Sequence, residues 1–264
     1  MATKKELATT EQGELAMIEQ VPDWMKTDGP ARGSENVDMN DITLPRLSII
    51  QDLSPQRKKN DAEYIQGAEE GMAFNTVTKE LFDKPINLIF VAMIKEWVIW
   101  KDRKKGGGFF GAFPSEAQAV AALGELEGNA NDYEVVDTQQ HYCLLIKDGS
   151  TQSAPILEEA VISCQKSTMK MSRQLNTLAK LAGGDRFSRR YQLEVVQDEN
   201  KAGEQYFNWK VTGKGFVSEP MYKAGEAMYE AVMSGERAVE RSDETASKPT
   251  EKTVNVDDSI EDDF

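Results

Sequence analysis

A chain of 264 residues, 39% of them hydrophobic, is long enough for one large domain or two small ones but too polar to be packed throughout. No run of ~18 apolar residues occurs, which excludes a helical membrane span, and the opening MATKKELATTEQGELAMIEQ lacks the apolar centre of a secretion signal, so a cytoplasmic location is expected. The net charge of −14 argues against a polyanionic ligand, but its distribution does not: residues 1–40 hold 4 basic and 8 acidic residues and 235–264 hold 4 and 10, which leaves the middle of the chain nearly balanced.

Residues 1–40 read as a mostly disordered arm, with room for a short helix near 10–20. The β-branched ITLPRLSIIQDLSP (42–55) predicts a first strand interrupted early by Pro45. QGAEEGMAFN (66–75) is turn-rich, and FNTVTKELF (74–82) alternates like a short hairpin strand. KPINLIFVAMIKEWVIWKD (84–102) is a long β run. KKGGGFFGAFP (104–114) reads as a glycine-rich, basic, aromatic loop. Ser115 followed by Glu116 suits a capped helix over 115–128.

NDYEVVDTQQHYCLLIKDGS (131–150) gives a strand pair or one long strand, and APILEEAVISC (154–164) a further strand, although LEEAV suits a helix start. KSTMKMSRQLNTLAKLAG (166–183) places Met171, Leu175, Leu178 and Leu181 at helical spacing on a core face and stops at Gly183–Gly184. RRYQLEVVQDE (189–199) and EQYFNWKVTGKG (204–215) read as a hairpin, and 219–240 as a helix. From about 241 the chain is polar and linker-like.

Strands joined by turns rather than by regular helices argue against a doubly wound sheet. The expected class is mostly β with inserted helices, an antiparallel OB-fold-like barrel. The division follows: a mostly disordered arm (1–40), an OB-like nucleic-acid-binding domain (41–240) and a flexible acidic tail (241–264).

Two stretches carry the chemistry of single-strand binding, in which bases stack on aromatic rings beside a cationic groove. In the first, WVIWKDRKKGGGFFGAF, the rings are Trp97, Trp100, Phe109, Phe110 and Phe113, and the cations Lys101, Arg103, Lys104 and Lys105. Trp97 and Trp100 fall on opposite faces of a strand, so one of them belongs to the core. The competing reading is a hairpin whose turn is GGG and whose aromatics pack inward.

In the second stretch, residues 163–192 hold seven cations, Lys166, Lys170, Arg173, Lys180, Arg186, Arg189 and Arg190, against Asp185 alone. They suit a phosphate-binding surface, or a solvated helix face balanced by acids elsewhere. Tyr206, Phe207 and Trp209 leave open which strand face is core. His141 stands alone and reads as a packed strand histidine. Cys143 and Cys164, without CxxC spacing, read as buried free thiols rather than zinc ligands. No enzymatic activity, metal or cofactor is expected.

The chain closes with VDDSIEDDF (256–264). Asp257, Asp258, Glu261, Asp262 and Asp263 precede a terminal Phe264. The acids suit competition with nucleic acid for a basic groove at high effective concentration. The terminal ring with its carboxylate suits an apolar, basic-rimmed pocket on a partner; the plainer reading is a solubility tail.

On these residues the chain resembles the replicative single-stranded DNA-binding proteins, nearest the OB-fold helix-destabilising proteins of tailed phages. Its tip is IEDDF, without the Pro-Phe ending of the bacterial proteins. The resemblance implies a protein of the bacterial host's cytoplasm that coats and protects single-stranded DNA in replication, recombination and repair. It also implies that the tail contacts a polymerase, primase-helicase or nuclease, and it leaves room for self-association. A strand-annealing recombinase and a protein-only acidic adaptor are the alternatives.

Overall fold

The computed structural model describes residues 42–237 apart from 103, 104, 126–128 and 201, together with Gly33, Asn36, Val37 and Val239. The helix considered near 10–20 and the whole 241–264 tail lie outside these residues.

Pro45 disfavours helix just before it, and the chain enters a short strand, β1 (Leu47–Ile49). This pairs with β2 (Ala73–Asn75), which pairs in turn with β3 (Leu81–Phe82) in a small antiparallel sheet. The β-branched and aromatic run that follows is one strand, β4 (Ile86–Lys101). Next comes β5 (Gly108–Phe113), where the sequence predicted a loop. The glycines confine the loop to a tight turn. Gly106, Gly107 and Gly108 all take positive φ, and the Asp102 carbonyl accepts from the Lys105 and Gly107 amides at 2.9 Å. FFGAF is thereby returned against β4 as a strand.

Ser115 caps α1 (Glu116–Gly124) by accepting from the Gln118 amide. Then come β6 (Tyr133–Ile146), a single long strand, and β7 (Leu157–Gln165), strand throughout rather than helix at LEEAV. The amphipathic helix α2 (Met169–Ala182) ends at Gly183, whose φ is +70°. β8 (Arg189–Glu199) and β9 (Gln205–Phe216) form the expected hairpin, and α3 (Glu219–Ser234) closes the described body.

The larger sheet has six strands in the order β7-β6-β4-β8-β9, with β5 added to β4, and every strand pairing in it is antiparallel. The molecule is thus mostly antiparallel β with helices added, but the expected barrel is not closed. Among the described residues β7 and β9 do not pair with each other, because other groups hold their edges. The Val161 amide of β7 donates to the Pro45 carbonyl at 2.8 Å. On β9 the Gln51 side chain stands in for a strand: its amide nitrogen donates to the Phe207 carbonyl at 2.8 Å and its oxygen accepts from the Phe207 amide at 2.9 Å. Gln174 reaches the Val211 carbonyl further along.

The sheet has an apolar core on each face. Phe90, Leu145, Ile162, Tyr191 and Leu193 pack with Met171 and Leu175 of α2. Both cysteines join this cluster as buried free thiols, and burial pushes the Cys164 thiol up to about 12. Ile89, Ala92, Tyr142 and Val161 pack with Met221, Met228 and Val232 of α3. Each fully buried side chain of this size contributes about 1.5–3 kcal/mol relative to exposure. Leu181 departs from its expected place: it is 80% exposed, one turn beyond the half-buried Leu178 and nearly two beyond the buried Leu175. Trp209 decides the open question on β9, since it lies in the first core.

Candidate nucleic-acid interface

The far half of β4 lies between β5 and β6. Trp97 is opposite Phe113 on one side and Asp137 on the other, and Lys101 is opposite Tyr133. Strand alternation therefore sets Lys95, Trp97 and Lys101 on one face with Tyr133, Asp137 and Gln139. The Lys95 ammonium lies 5.0 Å from the Trp97 ring centroid and 3.1 Å from the Asp137 carboxylate. The Lys101 ammonium lies 6.0 Å from the Tyr133 ring, against which Phe110 packs edge-on at 5.8 Å. Phe110 is 42% exposed. Two aromatic stations result, Trp97 with Phe113 and Tyr133 with Phe110, each carrying a lysine. They lie four residues apart along β4, about 13 Å at ~3.3 Å per residue.

Trp100 and Phe109 belong to the opposite face, where their rings meet edge-on at 5.9 Å. Phe109 borders a groove of about 510 Å³ floored by Ile94, Glu96, Gln140 and Tyr142. The Gln140 amide donates to Glu96 at 2.7 Å, and Ser163 donates to the Gln140 oxygen. The five aromatics of the first stretch are thus divided between two faces of one ribbon.

The cations of the second stretch are more widely scattered. Just beyond the end of β7, Lys166 reaches Glu134 of β6 at 2.5 Å. Lys170 pairs with Asp198 at 3.0 Å, at the far end of β8. Arg173 and Lys180 are exposed on α2. Arg189 lies over the Phe216 ring at 4.8 Å, and Arg190 is half-buried beside it. Positions 189 and 198 are separated by most of β8, roughly 30 Å, so these side chains do not form one patch. Arg103 and Lys104 lie outside the described residues, as do Asp257, Asp258, Glu261, Asp262, Asp263 and Phe264.

Arg186 points inward. Its guanidinium donates to His141 Nδ1 and to Asn176 Oδ1, both at 3.0 Å. Guanidinium cannot accept, so His141 Nδ1 is the acceptor and the ring proton sits on Nε2. Nε2 donates to Ser172 Oγ at 2.8 Å, Ser172 donates to Gln139 Oε1, and Asn176 donates to the same oxygen at 3.3 Å. This closed ring of five side chains ties β6, α2 and the 186–188 turn together. Burial first, and the Arg186 charge second, hold the imidazole pKa down at about 3. The expected packed strand histidine is therefore the centre of a buried polar network.

Two participants were absent from the sequence-derived set, Lys95 and Tyr133. With Lys101, Lys105 and Lys166 they gather on one stretch, 132–137, at the start of β6; Lys105 contributes through Asp132 at 3.9 Å. Alternation along 131–150 gives their faces, but only the β4–β6 register brings them beside Trp97.

Fold and site together define a mostly antiparallel β protein carrying an aromatic and lysine-bearing strand face. Among the described residues no helix is long and apolar enough to cross a membrane. The chain belongs to the Pam3 phage gp34-like protein family, a family of phage proteins, whose model matches residues 10–238. No curated protein and no solved structure matches it.

Proposed function

We propose that this phage protein binds single-stranded DNA, coats it during replication and recombination in the host cytoplasm, and recruits partners through its acidic C-terminal tail. The observation that carries the reading is the pair of aromatic stations, Trp97 with Phe113 and Tyr133 with Phe110, each bearing a lysine. Flat rings beside ammonium groups suit unstacked bases and the phosphates between them. Each base stacked there contributes about 1–3 kcal/mol. Trp100 and Phe109, on the other face, serve the fold.

The strand order supports the same reading. Taking β4, β6, β7, β8 and β9 as five successive strands with α2 between the third and fourth, their adjacency is 3-2-1-4-5. That order is compatible with an OB-type barrel left open between its third and fifth strands, which supports the reading. In such barrels the loop joining the first two strands and the face of strands two and three take oligonucleotides. Here that loop holds β5 and α1, and the second strand is β6. The reaction class is binding without catalysis, and no cofactor enters.

Tryptophan fluorescence titrated with oligo(dT) at several salt concentrations tests the proposal. Quenching is expected, with log affinity falling against log salt by about 0.7 per phosphate neutralised. A flat response at low salt overturns it and leaves a protein-only adaptor whose tail docks on a partner.

A further inference from the structure

The lysines around these stations are not free. Lys95 is 3.1 Å from Asp137, Lys105 is 3.9 Å from Asp132, and Lys166 is 2.5 Å from Glu134. The three carboxylates fall within six consecutive residues, and the lysines come from three different elements; Asp137, opposite Trp97, stands on the Trp97 face, whereas Glu134, opposite Trp100, leaves β6 on the other side. β7 stops opposite Thr138, so the stretch carrying these acids has an open edge over which Lys166 reaches. The lysines and carboxylates are each between about a quarter and three-fifths exposed, so the pairs are accessible to solvent and to a ligand. Lys101, over Tyr133, is the one member of the group with no carboxylate partner among the described residues.

Resting on the single-strand reading above, we propose that, when no ligand is present, Asp137 occupies a phosphate position on the Trp97 face and Asp132 and Glu134 occupy phosphate positions along the open edge of β6 beside it. A phosphate then enters by exchange: it takes the lysine, and the displaced carboxylate returns to water. Exchange yields less net attraction than a bare lysine, because the freed carboxylate stays nearby and repels the incoming chain. Solvent-exposed pairs are weak enough to be exchanged. Charge alone therefore holds a polyanion poorly here, and retention depends on base stacking at Trp97 and Tyr133. This makes the three acids affinity-setting residues: an overall acidic protein with this face rejects polyanions that offer no bases.

The test compares wild type with Glu134→Gln, Asp137→Asn and the double variant, by fluorescence anisotropy across a salt series. The probes are oligo(dT) and an abasic phosphodiester chain of equal length. Wild type is expected to bind oligo(dT) and not the abasic chain at the same concentration. Each single variant is expected to raise oligo(dT) affinity about two- to fivefold and to steepen the salt slope by roughly 0.7 per lysine released. The double variant should retain the abasic chain. Lys166→Gln, which removes the cation instead, should lower affinity and flatten the slope. Unchanged or reduced affinity in both carboxylate variants overturns the proposal, as does wild type binding the abasic chain as tightly as oligo(dT). If wild type binds neither probe at low salt, the single-strand reading itself fails; if it binds oligo(dT) and the variants match it, only the exchange fails.

Discussion

Lowering the pH should destabilise this protein through one residue. His141 is the sole histidine of the chain, so stability changes between pH 5 and 7 can be assigned to it. In the folded state its pKa is held at about 3, against 6.5 when unhindered. Below 6.5 the unfolded chain takes up a proton that the folded ring refuses. The unfolded state therefore binds more protons, and stability falls as the pH drops, with the full contribution present only above pH 6.5. With these two pKa values the loss is about 2 kcal/mol between pH 8 and pH 5, on the order of 1.4 kcal/mol per unit where the slope is steepest. The geometry supplies the reason: protonating Nδ1 would aim an N–H at the Arg186 guanidinium 3.0 Å away and break the ring. Urea unfolding at half-unit steps from pH 8 to pH 5 measures this directly. His141→Gln, which keeps a donor and an acceptor but cannot charge, should flatten the curve. A wild-type midpoint independent of pH over this range would refute the neutral, buried imidazole.

Three other outcomes are expected. Trp97→Ala and Tyr133→Ala should each weaken oligo(dT) binding roughly 5- to 150-fold, equivalent to about 1–3 kcal/mol per stacked base; Trp100→Phe should leave affinity unchanged while lowering the urea midpoint. Gly225→Ala should cost about 1–3 kcal/mol in urea unfolding, because a β-carbon there would stand 2.7 Å from Phe187 Cβ, where α3 lies against the chain. Deleting residues 257–264 should raise DNA affinity and abolish capture of replication partners; unchanged affinity would remove the tail's competition for the groove.

The long elements were legible because their periodicity is strong. Ile86–Lys101 is rich in β-branched and aromatic residues, and Met171 and Leu175 mark the buried side of α2. The glycine-rich stretch was misread for a physical reason: three positive-φ glycines can loosen a loop or sharpen a turn, and the choice depends on whether β4 offers an edge to FFGAF. Arg186 reads like its neighbours Arg189 and Arg190 in sequence. Only the meeting of β6 with α2 turns it inward to His141. Trp97 and Trp100 were correctly assigned to opposite faces by spacing, but which face carried lysines depended on Lys95 and on the register that brings Tyr133 alongside Lys101. Leu181 continues the helical spacing into the last turn of α2, where it is left exposed.

The Gln51 amide occupying the edge of β9 governs how copies of this chain can meet. An exposed strand edge invites another molecule to continue the sheet. At Phe207 both backbone groups are already engaged by one side chain, so growth by strand addition is stopped there without a further strand being spent. On β7 the chain around Pro45 does the same work.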